Sequence, residues 1–439
     1  MTTRLKLSLL FLFIFQILVS LTFELAHDEA YYWLYSTHLD WGNFDHPPFV
    51  GMIIRIFSFL GHSEFAVRFG FIILQFLTAL IVLKTVPQKK RLLALALFFA
   101  FPIASIGGML ALPDMPLLFM TAIYIWLLKN YLEKDNFRNS SHLGFSIACL
   151  FYAKYHGVLL IFFTMLAIPR LFLRKSFYFV ALVAIAGFFP HLWWQYKHEF
   201  ATLRYHFIDR PSSSFSFKRS VEFVFLQMIL AGLFAGPILW WSIVKNKTQS
   251  DFLRALKFVS IGTVFFFLIS SFSKKTEANW TIFLTVPLII LTLQTEIWER
   301  KWARNLLFTS SFICLLARLI FIFNPSQLPL KRLAEFKGWK NWAQNVLEAC
   351  GPERTVMANS YQVAAKLSFY LNRDVTALNY RSRRNQFDYW RFEETQDGPV
   401  CYLTDKKFEG QPIQTPEGKI LKVVKFDLLP ESLKARNEH

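Results

Sequence analysis

Apolar runs of about twenty residues, the length that crosses a bilayer core as a helix, recur through the first three quarters of this 439-residue chain. They lie near 5–23, 64–84, 92–110, 115–132, 176–196, 220–243, 255–272, 279–297 and 305–323. In hydrocarbon a backbone must satisfy its own polar groups, so such runs are restricted to helices. Fifty of the residues are Phe and only 18% are charged, which a soluble chain of this length would not carry. The first run resembles a signal peptide in position. No small-residue cleavage site follows it, and it is read as a retained span.

The formal net charge of +18 raises the question of nucleic acid. Its distribution answers no. Residues 1–323 hold 30 Lys/Arg against 16 Asp/Glu, and the excess sits in short clusters between the apolar runs: Lys84/Lys89/Lys90/Arg91, Lys129/Lys134/Arg138, Arg170/Arg174/Lys175, Lys245/Lys247/Arg254 and Arg300/Lys301/Arg304. Positive clusters of this kind mark cytoplasmic loops. Asp28, Glu29, Asp40, Asp45, Asp114 and Glu277 fall on the opposite side, so any chemistry faces outward.

The stretch 142–169 holds Ala153-Lys154-Tyr155-His156-Gly157 at its centre. One continuous helix would bury Lys and His at mid-membrane at high cost. Both flanking basic clusters belong to the cytoplasmic side, so the segment is expected to enter, break at Lys154–Gly157 and return. That gives eleven passes, with the N-terminus inside and the C-terminus outside. Arg318, within the last span, has no assignment from sequence.

After Asn324-Pro325 the hydropathy collapses. Helices are expected over Gly338–Ala349 and Tyr361–Leu371, and strands over Thr355–Ala358, Val375–Leu378, Val400–Leu403 and Ile420–Phe426. The fold class is therefore a polytopic α-helical membrane protein with a small C-terminal α/β domain outside the membrane. Its parts are a membrane domain over 1–323, with outer-face loops 24–63 and 197–219, and a soluble domain over 324–439. The four Cys (Cys149, Cys314, Cys350 and Cys401) lack the paired spacing of a zinc site. Pairing of Cys350 with Cys401 stays open, because nothing in the sequence sets their distance.

The segment after the first span carries the densest chemistry: Ala26-His27-Asp28-Glu29-Ala30-Tyr31-Tyr32-Trp33, then Leu39-Asp40-Trp41-Gly42-Asn43-Phe44-Asp45-His46-Pro47-Pro48. Adjacent carboxylates at a membrane surface repel each other. Alone they read equally well as a solvated helix start within an interfacial aromatic belt. Pro113-Asp114-Met115-Pro116 opens another span at the outer face, where Asp before Pro reads as a helix N-cap. Phe49–Leu60 reads as an amphipathic helix lying on the outer leaflet, closed by Gly61.

Asp28-Glu29 after the first span, the Trp41–Pro48 loop and Leu112-Pro-Asp-Met-Pro-Leu117 together resemble the polyprenyl-phosphate-sugar glycosyltransferases of the GT-C superfamily. More narrowly they resemble bacterial members of glycosyltransferase family 39, relatives of the protein O-mannosyltransferases and of the lipid A aminoarabinose transferase. The likeness continues through Ala153-Lys154-Tyr155, Tyr205–Arg210, Lys275–Trp280, Gly338-Trp339 and Tyr361–Tyr370.

The resemblance implies inverting transfer of one sugar from a polyprenyl-phosphate carrier to a hydroxyl of an envelope lipid, glycan or protein. The place is the outer face of a bacterial inner membrane. Asp28 matches the catalytic aspartate, with Glu29 as its support and Asp114 as a second outer-face aspartate. The leaving phosphate needs cations, for which Lys154, Arg204, Arg210 and Lys275 are candidates, with Lys274 beside them. Some relatives hold a divalent metal. The aminoarabinose transferase has Glu-Lys-Pro-Pro where Asp45-His46-Pro47-Pro48 stands here, which offers Asp45, His46 and His206 as ligands but loses a permanent cation. A transporter or flippase for a lipid-linked glycan is the alternative. It would place ionisable groups near mid-membrane and show two similar halves; neither pattern is found.

Overall fold

A computed structural model of the protein describes residues 2–205, 214–322, 331–395 and 397–434. Two compact units divide the chain: Met1–Leu18, His46–Val50 and Arg68–Leu319 form one, and Val19–Asp45, Gly51–Val67 and Ile320–His439 the other.

The first unit is helical. Among the described residues five helices are long and apolar enough to cross a membrane: Thr3–Ser20, Glu64–Thr85, Asp114–Glu133, Lys175–Lys197 and Asp251–Ser271. Their outward faces stay apolar, as lipid requires: Leu7, Leu10, Phe11, Ile14 and Leu18 on the first are all exposed. Several expected spans are broken, each for a local reason. The 92–110 run becomes Arg91–Ala100 and Pro102–Gly107, because the residue before a proline is driven out of the helical region and Phe101 is extended. The 220–243 run becomes Phe217–Leu230 and Leu233–Lys245, bent by 110°. Gly232 supplies the turn with φ 134°, and Gly236 lies so close to the Met228 carbonyl that a Cβ would stand 1.7 Å from its oxygen. The 279–297 run opens as a 3-10 helix over Ala278–Leu284 and ends as an α-helix at Thr292.

The break at Lys154 falls where the sequence requires it. The Phe137–Ala153 helix stops, Lys154 is extended with φ −169° and ψ 142°, and helix resumes at Gly157. Gly157 is needed there, since a Cβ would meet the Leu150 side chain at 2.7 Å. Arg318 receives its explanation here. It is fully buried, donates to Gln16 and to both oxygens of Ser105, and lies 5.3 Å above the Phe99 ring. It ties three helical segments together through neutral acceptors.

The second unit carries a five-stranded sheet of order β2-β1-β3-β5-β4, with β1 Thr355–Ala358, β2 Thr376–Ala377, β3 Val400–Thr404, β4 Gln411–Gln414 and β5 Ile420–Phe426. β1 runs parallel to β2 and β3, while β5 is antiparallel to β3 and β4. The edge strand β4 escapes a reading by pattern: it is mostly exposed, lacks alternation and contains Pro412, which an edge position tolerates. Met357, Leu378, Val400, Tyr402, Val424 and Leu429 form the core. Cys350 and Cys401 are joined as a disulfide, linking the end of the Trp339–Cys350 helix to β3.

The His27–Thr37 helix belongs to this unit and packs on the Tyr361–Leu371 helix through Trp33 against Phe369 and Tyr31 against Tyr361, with ring centroids 5.2 and 4.8 Å apart. Glu24 accepts the backbone N–H groups of Trp339 at 2.6 Å and of Lys340 at 3.3 Å, so it caps the Trp339–Cys350 helix from more than 300 residues away. The segments that follow the first helix thus fold with the C-terminal part of the chain.

Candidate functional site

In the second unit Asp28 and Glu29 open the His27–Thr37 helix but face different surroundings. Glu29 is fully buried and its Oε2 accepts the Ala26 N–H at 2.8 Å, the backward half of a capping box. Ala26 has no side chain to return the bond. Glu29 is therefore committed to holding the helix start. Asp28 is exposed, and its oxygens accept no hydrogen bond among the described residues. Its surroundings are nevertheless poor in water. Desolvation, reinforced by the nearby Glu335 and Asp45 carboxylates and opposed by His27 and Arg383, raises its pKa from 3.8 to about 6. A carboxylate that is reachable, unpaired and titrates near neutrality has the properties of a general base.

The groups around it are held firmly. Glu335 accepts the His27 N–H at 2.7 Å, and the His27 ring contacts Glu417 at 3.0 Å. Buried Lys366 donates to the carbonyls of Leu25 and Glu335 and lies 4.8 Å over the Trp339 ring. Asp45 accepts from the Tyr31 hydroxyl at 2.8 Å, from Tyr35 at 3.4 Å and from the Arg383 guanidinium at 2.6 Å. Gly51 lets its helix approach Tyr35: a Cβ there would stand 2.9 Å from Tyr35 Cβ.

In the first unit Asp114 does not act as the N-cap that its place before Met115-Pro116 suggests. Its Oδ1 accepts from Lys154 Nζ at 2.9 Å and its Oδ2 from Asn279 Nδ2 at 3.0 Å. The side chains of Lys154 and Asp114 are 5% and 7% exposed, so this is a buried ion pair seated at the helix break. Beside it Tyr155 is held by His191 and by Gln195, both at 2.6 Å, and Gln195 also reaches Thr202 at 2.8 Å. Lys154 thus carries its own counter-ion.

The remaining cations differ from it. Arg204 and Lys275 are exposed and pair loosely or locally, with Glu199 at 4.0 Å and Glu277 at 2.9 Å. Arg210 and His206 lie outside the described residues.

A divalent metal was expected on Asp45, His46 and His206, of which Asp45 and His46 are described. Both Asp45 oxygens point at hydrogen-bond donors, one of them a guanidinium, which is the surrounding of an anion paired with a cation rather than of a metal ligand. His46, next in the chain, is half-buried. Among the described residues no group of three His, Cys, Asp or Glu is placed to hold an ion. No step is routed through a metal.

Five residues escaped the sequence: Arg383, Glu335 and the Tyr31/Tyr35 pair around Asp28 and Asp45, and Asn279 on Asp114. Tyr31 and Tyr35 carry a helical signal, being four apart on one face. Arg383 and Glu335 carry none, since each meets the site through tertiary contact alone.

Residues 45–194 match the family described as dolichyl-phosphate-mannose-protein mannosyltransferase. The lipid A galacturonosyltransferase RgtD of Rhizobium johnstonii is 25% identical over 325 residues, 69% of this chain and 67% of the relative. The fold matches that of ArnT from Cupriavidus metallidurans bound to undecaprenyl phosphate, with a TM-score of 0.68 at 11% identity over 96% of this chain and 98% of that one. The same protein in the apo state gives 0.67 at 11% identity over 93% and 96%. The mannosyltransferase pattern thus covers about a third of the chain, while the ArnT-like fold covers nearly all of it.

Proposed function

We propose that this chain transfers a single sugar from a polyprenyl-phosphate carrier to a hydroxyl of a lipid A-type acceptor at the outer face of the bacterial inner membrane. The carrier is suggested by the undecaprenyl phosphate in the ArnT structure, and the acceptor by the lipid A galacturonosyltransferase relative. Asp28 carries the reading: an accessible carboxylate, without a hydrogen-bond partner among the described residues and half-ionised near pH 6.

An acceptor alcohol is a weak nucleophile until its proton is removed in the transition state. Asp28 takes that proton as the hydroxyl oxygen attacks the anomeric carbon from the face opposite the phosphate. The anomeric C–O bond breaks, its electron pair leaves with polyprenyl phosphate, and the configuration inverts. Glu29 fixes the helix start that presents Asp28. Asp114, held by Lys154 and Asn279, positions acceptor or sugar. Lys154 has three ammonium protons and spends one on Asp114, which leaves two for a phosphate; Arg204 and Lys275 add positive charge at the surface.

The proposed topology has eleven passes, the N-terminus in the cytoplasm and the C-terminal domain outside. The Cys350–Cys401 disulfide supports it, because such bonds persist in oxidising compartments. A periplasm-only reporter fused after Asn324 is expected to be active; silence there reverses the orientation. The functional test is Asp28→Asn, assayed as purified protein with a polyprenyl-phosphate sugar and lipid A. Turnover at the parent rate removes the mechanism.

A further inference from the structure

Arg383 lies in the segment 378–386 that follows β2, at the carboxyl end of the parallel part of the sheet, the edge where open α/β sheets receive ligands. The backbone there is costly to build. Asn379 and Arg381 both take left-handed conformations, with φ 53° and 52°, which side-chain-bearing residues rarely adopt. A buried polar network holds them in place. Asn379 Nδ2 and the Asn385 N–H both donate to Asp388 Oδ2 at 2.7 Å, and Asn385 Nδ2 donates to Asn379 Oδ1 at 2.8 Å. Asn359, at the end of β1, donates to Ser382 Oγ at 3.2 Å. A loop so constrained presents its side chains in a fixed direction.

What it presents is a guanidinium anchored to Asp45 at 2.6 Å, 5.9 Å from the Tyr361 ring centroid, and within electrostatic range of Asp28. Despite the ion pair its side chain remains 46% exposed. Lys154, by contrast, is buried against its own carboxylate. Arg383 is thus a pre-placed cation that shares the surroundings of the base and keeps nearly half of its side-chain surface exposed. A planar fork of five donors suits a phosphate, which it engages along one edge while a carboxylate holds another.

We infer that Arg383 binds a phosphate oxyanion at the reacting site, and specifically the phosphate that leaves with the polyprenyl chain. The inference rests on the glycosyl-transfer reading and adds a positioned cation to it. A phosphate has a second source, the phosphorylated acceptor, and the test separates the two.

The full-length protein in lipid nanodiscs is titrated with undecaprenyl phosphate, and the steady-state constants for donor and acceptor are measured. Arg383→Gln is expected to weaken undecaprenyl phosphate binding and to lower donor kcat/KM, each at least tenfold, with acceptor KM unchanged. Arg383→Lys should recover part of both. Unchanged binding and donor kcat/KM in Arg383→Gln overturn the inference. So does an effect confined to acceptor KM, which would move the phosphate to the acceptor. If Arg383→Gln does not fold, Arg383→Lys carries the test, because it keeps the charge beside Asp45 but loses the fork; parent-like undecaprenyl phosphate binding then overturns the inference. Asp28→Asn separates this from the underlying mechanism. It should bind undecaprenyl phosphate at parent affinity with no turnover, and turnover there would sink the base while leaving the Arg383 binding result to stand alone.

Discussion

Lys154 and Asp114, forty residues apart, meet in a buried ion pair whose nitrogen and oxygen are 2.9 Å apart. Neither residue is ordinary where it stands: one interrupts a helix and the other begins one. Together they account for the break in the 142–169 segment, because an extended Lys154 can direct its ammonium onto the start of the Asp114–Glu133 helix.

Removing one partner strands the other. Asp114→Ala should destabilise the protein by about 3–5 kcal/mol, the cost of an uncompensated buried charge. Thermal unfolding of the purified protein reads this directly. The double variant Asp114→Leu with Lys154→Met should recover most of the lost stability yet remain unable to transfer sugar. If the single and double variants unfold alike, the pair is not what holds the break.

The pH profile of transfer should carry an acidic limb with a midpoint near the pKa of about 6 given for Asp28. The sign is fixed by the mechanism. The base works ionised, so activity is lost as pH falls through that value and is complete above it. A limb near the ordinary carboxylate value would mean that the desolvated Asp28 is not the group being titrated.

Stability should move the other way. The folded pKa of Asp28 lies above its ordinary 3.8, so the fold disfavours the charged form, and stability falls as pH rises from the ordinary value to about 6. Asp28→Asn should therefore raise the unfolding temperature at about pH 7, above the folded pKa, while abolishing turnover. A variant both inactive and less stable would point to a structural role.

Glu24 caps the Trp339–Cys350 helix through two backbone N–H groups. Glu24→Ala should cost about 1–2 kcal/mol, the usual worth of a lost N-terminal cap. Amide hydrogen exchange should be faster at the start of that helix, and unchanged exchange there would refute the contact.

The disulfide closes a loop with a sequence separation of 51. Replacing Cys350 and Cys401 by Ser should cost about 4 kcal/mol by the loop-entropy relation. Mass spectrometry without reductant should recover their linked peptides, with Cys149 and Cys314 as free thiols.

Much of this was readable from local pattern. The Thr355–Ala358 and Ile420–Phe426 strands and the Tyr361–Leu371 helix appear where hydrophobic periodicity places them. The break at Lys154 followed from charge cost alone. Continuous spans were harder: Phe101-Pro102 and Gly232 sit inside runs whose mean hydropathy is indifferent to one residue, yet each is enough to end a helix.

The chain's own order of residues determined that it enters a membrane, that carboxylates crowd the segment after its first apolar run, and that an α/β portion follows the last. These rest on composition and period, which act over neighbouring residues and need no fold to be evaluated. Tertiary structure alone decided which of two adjacent acids is buried as a cap and which stays open, that Lys154 brings its counter-ion, and that an arginine 338 residues beyond Asp45 settles on its carboxylate. Electrostatics falls off with distance in space rather than along the chain, so the partner and the pKa of a charged group exist only once the fold has placed them.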